Sequence, residues 1–332
     1  MTHTRLSSLT LEWSPDWTAI FGVERPIILE IGFGRGVFLA HLAKTHPDHH
    51  VIGVEISNRC LDTTERLITR EKLDNARVIY STALTALAHL FQPGSLSQVH
   101  VNFPDPWFKS RQSHRRLMRR EVMDWIVSRM RPDATFHLAT DIQEYAEMSA
   151  ELLAETPHLE NLLPDAWARE MPGRVITKYE ATAIREGRTP FYFLRRRNTL
   201  PALDLPVKEE LAMSHVVFHS PLTLEAIYAV YADRVQGQHQ AGELHINLMD
   251  VFLGQNALLI ETAISEPTID QRLALLILPR WHSDEPGGYT IQVSALGHPR
   301  ITDGVHEAVR VLAERVIALH PEARLLHHKL KD

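Results

Sequence analysis

The chain has 332 residues, of which 44% are hydrophobic, and a formal net charge of −6 at pH 7. This length predicts two domains, or one large domain with an extension. The negative balance excludes binding of nucleic acid through overall charge, so any such binding needs a local basic patch. The single cysteine, Cys60, excludes an internal disulfide and favours a reducing compartment.

The sequence predicts neither a membrane segment nor a metal site. No apolar run is long enough to cross a bilayer, and the N-terminus has no hydrophobic signal core. The 20 histidines are scattered, without the His-x-Glu or Cys-x-x-Cys spacing of metal ligands. We therefore expect a soluble cytoplasmic protein that contacts no membrane.

Residues 1–25 carry Trp13, Trp17 and Phe21 at helical spacing. Such a stripe is more often an apolar face that packs on a main domain than a platform for a ligand. We expect an N-terminal lid or packing arm.

From Ile27 to Glu155 the patterns of buried strands and amphipathic helices alternate. The predicted strands are Ile27–Ile31, Val51–Glu55, Val78–Tyr80, Gln98–Asn102 and Thr135–Ala139. The first predicted helix ends near Lys44. The others cover about Ser57–Arg70, Leu84–Leu90, His114–Met130 and Asp141–Glu155. This alternation predicts an α/β fold with a doubly wound, mostly parallel sheet, whose ligand lies beyond the carboxyl ends of the strands.

A glycine turn connects the first predicted strand to the first helix. Gly32, Gly34 and Gly36 allow the backbone to turn tightly and a ligand to approach it. The dinucleotide fingerprint would need its third glycine where Val37 stands, so a nicotinamide oxidoreductase is the least favoured function. An acid followed by this spacing resembles motif I of the S-adenosylmethionine (SAM) methyltransferases, and a turn without a ligand is the alternative.

Two glutamates flank this region. Glu55 ends the second predicted strand, where its carboxylate can accept hydrogen bonds from ribose hydroxyls, or where it is simply a charged residue at a strand end. Glu30 interrupts an apolar strand and would be costly to bury unpaired. We expect Glu30 to hold a cofactor, directly or through water.

The segment after the fourth predicted strand combines a stiff acidic loop with a basic stretch. Pro104 and Pro106 fix the backbone around Asp105 and present its carboxylate from a stiff loop. The basic residues that follow are Lys109, Arg111, Arg115, Arg116, Arg119 and Arg120. We expect the arginines to contact phosphates, with 116, 119 and 120 on one helical face; a solvated charged face is the alternative.

These segments resemble the bacterial tRNA (guanine-N7)-methyltransferases over about residues 20–198. The matching pieces are Glu30–Gly36, Gly53–Glu55, Phe103–Lys109 with its basic tail, Ala139–Asp141 and Thr177–Glu180. The resemblance implies a class I SAM-methyltransferase fold and transfer of a methyl group from SAM to N7 of guanine in tRNA, at the guanosine in position 46 of the variable loop. Positioning of N7 drives such a reaction, because N7 has a free lone pair and needs no strong base.

The resemblance also implies roles for residues of this chain. Glu30, Glu55 and Asp105 would contact SAM beside the glycine turn. Our own hypothesis is that Asp105 is also catalytic, because it positions guanine together with Asp141 and the Thr177–Glu180 loop. Lys109, Asp141 and Thr177, Lys178, Tyr179 and Glu180 would contact the substrate. Thr82 stands where the family usually has an aspartate at the adenine end of the cofactor, and we expect it to bind the cofactor there, through a weaker hydrogen bond than a carboxylate makes. Gln112–His114 is less basic than the family pattern. The spacing Asp141-x-x-Glu144 is also that of a helix N-cap with its capping-box partner.

Prolines 201 and 206 predict a linker, so we expect a methyltransferase domain over 1–200 and an extension over 201–332. In the extension, a strand near His215–Phe218, two helices and alternating strands predict a small α+β domain with an antiparallel sheet. One helix carries Leu224, Ile227, Tyr228, Tyr231 and Val235 on one side, and the other carries Val305, Val309, Leu312 and Val316. The extension has no catalytic motif, and RNA positioning, dimerisation and a structural role are all open.

Two other functions remain open on the residues alone. The chain could be a SAM methyltransferase that acts on another RNA or a small molecule, or a non-catalytic RNA-binding module. Retention of Glu30, the three glycines, Glu55 and Asp105 disfavours the second. The oligomeric state, monomer or homodimer, is not determined by the sequence.

Overall fold

The computed structural model describes residues 4–107, 116–280 and 287–331, and of residues 178 and 179 it describes the backbone. The chain divides into two compact units, Met1–Glu209 and Glu210–Asp332. The predicted linker belongs with the first unit, because Arg129 donates to the carbonyl oxygen of Leu205 at 2.6 Å and the Lys208 amide donates to Ala88 at 3.1 Å.

Within the described residues, the first unit is an eight-stranded sheet with helices between the strands. Its strands are β1 (Arg5–Ser7), β2 (Ile27–Ile31), β3 (His50–Glu55), β4 (Ala76–Tyr80), β5 (Leu96–Asn102), β6 (Met130–Thr140), β7 (Leu159–Asn161) and β8 (Phe191–Arg197). Its helices are α1 (Trp17–Phe21), α2 (Val37–Thr45), α3 (Asn58–Glu71), α4 (Ala83–His89), α5 (Arg120–Arg129), α6 (Gln143–Ala154) and α7 (Lys178–Arg185).

The strand order is β1-β4-β3-β2-β5-β6-β8-β7. All pairs from β1 to β6 are parallel, and β8 is antiparallel to both β6 and β7. The order reverses at β2, where the chain runs outward to β3 on one side and β5 lies on the other. This confirms the predicted doubly wound, mostly parallel sheet, and its ligand site belongs beyond the carboxyl ends of β2, β3 and β5.

The N-terminal segment packs on this sheet. Strand β1 extends the sheet beside β4, which periodicity did not predict. Trp17 stacks on Phe91 with ring centroids 5.5 Å apart, and Phe21 stacks on His50 at 3.8 Å. The aromatic stripe is therefore a packing surface on the core.

Two local predictions were wrong. Helix α5 begins at Arg120 and its N-cap, Arg119, is extended with φ −145°, so residues 116 and 119 do not share a helical face with residue 120. Met118, in the extended segment just before the helix, is buried in the core of the first unit. Helix α6 has Ile142 as its N-cap without a side-chain hydrogen bond, so Asp141 does not cap it.

The second unit is an antiparallel sheet covered by two helices. In the described residues its strands are β9 (His215–His219), β10 (Gly237–Ala241), β11 (Leu244–Leu253), β12 (Leu258–Glu266), β13 (Ile269–Pro279), β14 (Gly288–Val293) and β15 (Arg324–Lys329), and its helices are α8 (Leu224–Arg234) and α9 (Asp303–Ile317). Their order in the sheet is β10-β11-β12-β13-β14-β9-β15. The predicted apolar faces lie in its core, except that Tyr228 is 43% exposed.

The net charge is unevenly divided between the units. Residues 1–209 carry 26 Lys and Arg against 26 Asp and Glu, whereas residues 210–332 carry nine against fifteen. The second unit therefore accounts for the whole net charge of −6, which is unfavourable for contact with phosphates.

None of the helices in the described ranges is both long enough and apolar enough to span a bilayer.

Candidate functional site

A cavity of about 430 Å³ lies at the carboxyl ends of β2, β3 and β5. Its volume is in the range of sites that bind small organic molecules. The lining residues come from five separate segments of the chain, which are 31–34, 54–60, 81–83, 102–107 and 117. The parallel register of the strands brings these segments together, as Glu30 pairs with Gly53 on one side and His100 on the other.

Gly32 and Gly34 of the glycine turn form one wall of the cavity, whereas Gly36, also predicted to bind the cofactor, does not line it. Gly32, Gly34 and Gly36 have φ values of +73°, +55° and +72°, which glycine adopts without steric cost. A Cβ at Gly32 would meet no protein atom within 4 Å, whereas a Cβ at Gly36 would overlap the side chain of Thr64 on α3. Gly32 therefore leaves open space for a ligand, and Gly36 permits α2 to pack on α3.

Glu55 lies in the cavity wall, and the backbone holds its carboxylate. Oε1 accepts from the amides of Ile56 at 2.9 Å and Ser57 at 3.0 Å. Oε2 accepts from the amide of Gly34 at 3.1 Å, which ties the glycine turn to the end of β3. An oxygen with one acceptor position still open can receive a further donor from a ligand.

Glu30 lies beside the cavity, in the core of the sheet. Its side chain is 1% exposed, and Oε1 accepts from Nδ2 of Asn102 at 3.0 Å. Oε2 has no hydrogen-bond partner among the described residues, and burial raises the pKa of Glu30 to about 7. Glu30 lines a second, small cavity of about 30 Å³, together with Thr177, and this space is large enough for a water molecule.

The loop from Asn102 to Trp107 closes the other side of the main cavity. Phe103 and Trp107 have φ values of +52° and +42°, a costly conformation for non-glycine residues. The amide of Phe103 donates to Ala139 at 2.8 Å and anchors the loop to β6. Asp105 is exposed and lines the cavity, so its carboxylate is available to a ligand.

Thr82 does not line the main cavity. It is the N-cap of α4, where its Oγ1 accepts from the amide of Thr85 at 3.1 Å. The neighbours Ser81 and Ala83 line the cavity instead. Ser81 Oγ is buried without a hydrogen-bond partner among the described residues, so it can interact with a ligand at this end.

The segment Thr177–Glu180 is the first turn of a helix. Thr177 and Glu180 form a capping box at the N-terminus of α7. Glu180 is 3% exposed, and both of its carboxylate oxygens are engaged within the chain. Oε1 accepts from the hydroxyl of Tyr192 at 2.5 Å, and Oε2 lies 3.4 Å from Nε of Arg174.

Arg174 was not predicted as a site residue. It donates to Oδ1 of Asn102 at 2.7 Å, so a chain of polar contacts runs from Glu30 through Asn102 and Arg174 to Glu180. Its position before Thr177 in a loop offered no periodic or compositional signal. The partners lie 72 and 6 residues away, and only the fold brings them together.

Asp141 lies at the end of β6 and forms an ion pair with Arg188, just after α7. Its side chain is 11% exposed. Arg188 also donates to Glu186 at 2.6 Å. A substrate that contacts Asp141 must therefore share or replace the guanidinium of Arg188.

The described arginines of the basic stretch have partners within the chain. Arg116 donates to the carbonyl oxygen of Trp107 at 3.1 Å, Arg119 pairs with Glu121 at 2.7 Å, and Arg120 pairs with Glu155 at 3.1 Å. Arg119 and Arg120 keep 32% and 43% of their side-chain surface exposed. Of the residues predicted to contact the substrate or phosphates, Lys109, Arg111 and Arg115 lie outside the residues that the structure describes. The side chains of Lys178 and Tyr179 lie outside them as well.

In the parts of the chain that the structure describes, no group of three or more His, Cys, Asp or Glu side chains could hold a metal ion.

The chain matches known methyltransferases. The family model described as "Putative methyltransferase" covers residues 24–193. The tRNA (guanine-N(7)-)-methyltransferases of Burkholderia lata and Burkholderia cenocepacia are each 42% identical over 173 residues, which are 52% of this chain and 68% of those proteins. The crystal structure of the aminoglycoside resistance methyltransferase NpmB1 aligns with 56% of this chain and 98% of its own chain. The sequence identity is 20% and the TM-score is 0.39.

Proposed function

The chain belongs to the tRNA (guanine-N7)-methyltransferase family, and from this premise we propose that it transfers a methyl group from SAM to N7 of a guanine in tRNA. The observation that carries the proposal is the cavity where the glycine turn, Glu55 and Asp105 meet. The finer part of the proposal is the identity of the base that receives the methyl group, which is the guanosine at position 46 of the variable loop.

The residues around the cavity fit the methyl donor. The space beside Gly32 is open, and Glu55 offers an oxygen with a free acceptor position to a ribose hydroxyl. Ser81 Oγ is a buried group that lacks a partner among the described residues, as expected where a ligand completes the hydrogen bonding. Thr82 serves as a helix cap, so Ser81 takes over the contact at the adenine end.

When bound, SAM supplies a methyl group on a positively charged sulfur. Guanine N7 presents a lone pair, so the protein has no proton to remove before transfer. The side chains therefore bind, orient and exclude water, and good alignment is worth up to ~7–11 kcal/mol in well-oriented systems. On the side of the stiff loop, Asp105 orients the reacting groups, because its exposed carboxylate faces the cavity.

The acceptor side lies at Asp141 and the N-terminus of α7. A carboxylate that accepts from the N–H groups of guanine rejects adenine, whose matching edge presents different groups. Asp141 fits this role because its present partner, Arg188, is an exposed side chain that can move. Glu180 is engaged on both oxygens, which favours a role in holding Thr177 and α7 over direct contact with the base.

The test is methyl transfer from labelled SAM to unmodified tRNA transcripts, with and without guanosine at position 46, with mapping of N7-methylguanosine by chemical cleavage. We expect cleavage at that guanosine only. Asp105→Asn should lower the rate by at least about 100-fold, because it removes a charged contact in the reacting arrangement. Methylation at another guanosine would contradict the finer proposal and leave the reaction intact.

One observation favours a second candidate, methylation of a small molecule. Arg116 donates a hydrogen bond to Trp107, and Arg119 and Arg120 form ion pairs, so phosphate contacts there require these existing contacts to open or be shared. Binding of S-adenosylhomocysteine without methylation of any tRNA would favour this candidate.

A further inference from the structure

Arg174 lies between the methyl-donor side and the acceptor side of the proposed site. Its side chain is 9% exposed and its guanidinium lies over the ring of Phe38, 4.5 Å from the centroid. Nη2 donates to Asn102 at 2.7 Å, and Nε lies 3.4 Å from Glu180. Among the described residues, those that line the two cavities do not include Arg174.

On the donor side, Arg174 fixes the orientation of an amide. Because Oδ1 of Asn102 accepts from Arg174, its Nδ2 points at Glu30 and donates to Oε1. The opposite amide orientation would place two donors against each other. Asn102 lines both cavities and is the first residue of the loop that carries Asp105. Its position therefore sets the geometry of the cavity wall that this loop forms.

On the acceptor side, Arg174 contributes to a closed set of contacts around Glu180. The same carboxylate accepts from the amide of Thr177 at 3.3 Å and from the hydroxyl of Tyr192 at 2.5 Å. Thr177 in turn lines the small cavity beside Glu30. The N-terminus of α7 and the buried acid of β2 therefore face each other across a space of about 30 Å³.

We infer that Arg174 is a positioning residue which, through Asn102 and Glu180, holds the methyl-donor cavity and the N-terminus of α7 in one arrangement. The inference rests on the proposed function, because it gives Arg174 a task in that same site. Arg174 acts through its neighbours, and its positive charge also stabilises the ionised form of Glu30.

The charged and titratable groups that face Glu30 decide how this can be measured. Burial makes the largest contribution and raises the pKa of Glu30 to about 7. The hydrogen bond from Asn102 and the charge of Arg174 lower this pKa, and the charge of Glu55 raises it. On β5, His100 lies beside Glu30 in register, and burial holds its pKa well below the usual value. Burial also lowers the pKa of His137, on β6, to about 4, so burial disfavours the protonated form of both histidines.

The experiment measures the affinity of the full chain for S-adenosylhomocysteine by calorimetry between pH 6 and pH 9. Arg174→Met keeps the apolar stem and removes the charge, and Arg174→Lys keeps the charge without the planar set of donors. The matched control is Arg195→Met on β8, a buried arginine that contacts Asn161 and the carbonyl oxygen of Ala166.

We expect Arg174→Met to weaken binding at pH 8 by about tenfold, as for loss of a hydrogen bond from a charged group. The loss of affinity for S-adenosylhomocysteine on acidification should also begin at a higher pH in Arg174→Met, because Glu30 then ionises less readily. Arg174→Lys should weaken binding with a smaller shift of this pH. Arg195→Met should lower the melting temperature and leave both affinity and profile unchanged.

An unchanged affinity and pH profile in both Arg174 variants, with the wild type binding normally, would overturn the inference and leave the proposed function standing. The same loss in Arg195→Met as in Arg174→Met would also overturn it, because it would indicate general destabilisation. No binding of S-adenosylhomocysteine by the wild type would instead contradict the proposed function itself.

Discussion

Asn102 and Glu30 meet across the sheet, where Nδ2 of Asn102 donates to Oε1 of Glu30 at 3.0 Å. The second carboxylate oxygen of Glu30 is buried and has no partner among the described residues. A buried acid with one oxygen left without a donor is held partly in its neutral form, and burial raises its pKa to about 7.

The first prediction concerns stability and pH. The pKa of Glu30 in the folded chain lies above its ordinary value. Its contribution to the free energy of unfolding is therefore fully present below about pH 4.5 and is lost as the pH rises through about 7. Glu30→Gln keeps the shape and the acceptor for Asn102 and removes the ionisation. We expect the variant to be more stable than the wild type at pH 8, by on the order of 3 kcal/mol.

Denaturant unfolding without ligand at pH 5 and pH 8 measures this difference. The stability advantage of Glu30→Gln should shrink toward pH 5. Glu24→Gln, at an exposed position, is the control and should show no pH-dependent difference. An advantage that grows toward low pH would contradict the assignment.

The second prediction has the opposite sign and concerns the histidine pair. His100 and His137 stack with ring centroids 4.2 Å apart, and burial lowers the pKa of both. Their contribution to stability is therefore present above pH 6.5 and is lost as the pH falls, for His137 through its folded pKa of about 4. We expect His137→Gln to reduce the loss of stability between pH 6.5 and pH 5, as measured by thermal unfolding. His245→Gln, on the exposed side of β11, should leave the acid dependence unchanged.

The third prediction tests the packing of the glycine turn. Gly36→Ala should destabilise the chain by about 2–4 kcal/mol, since a Cβ would overlap Thr64 and φ is +72°. Gly94→Ala, at φ +68° with no atom within 4 Å, carries the conformational cost alone and should lose about 1 kcal/mol. Adding Thr64→Ala to Gly36→Ala should restore part of the loss, and the absence of any recovery would exclude the contact with Thr64 as the cause.

The fourth prediction separates the two units by charge. Arg119→Glu with Arg120→Glu should weaken tRNA binding and flatten its salt dependence, while binding of S-adenosylhomocysteine persists. Arg234→Glu, at an exposed position of the second unit, should change neither quantity, because that unit is net negative. Filter binding over a range of salt concentrations measures the slope. A slope that responds to Arg234 and not to the other two would move the phosphate contacts to the second unit.

The strands and helices between Ile27 and Glu155 followed closely from periodicity, whereas β1, β7, α7 and β8 of the first unit were not predicted. Each predicted strand from Ile27–Ile31 to Thr135–Ala139 lies within an observed strand. The errors occurred where distant packing competes with local pattern. Strand β1 pairs with β4, about 70 residues away in the chain, and the segment before α5, with Met118 buried in the core, is extended instead of helical.

The sequence by itself determined the order of the elements between Ile27 and Glu155, the glycine turn and the exposed Asp105, because periodicity, glycine and proline act over a few residues and need no distant partner. Only the tertiary structure decided that Arg174 links Asn102 to Glu180, that Arg188 holds Asp141 and that Ser81, not Thr82, faces the cavity. The physical reason is that a polar side chain has many possible partners in sequence, and the fold leaves it only those that burial brings within hydrogen-bond distance.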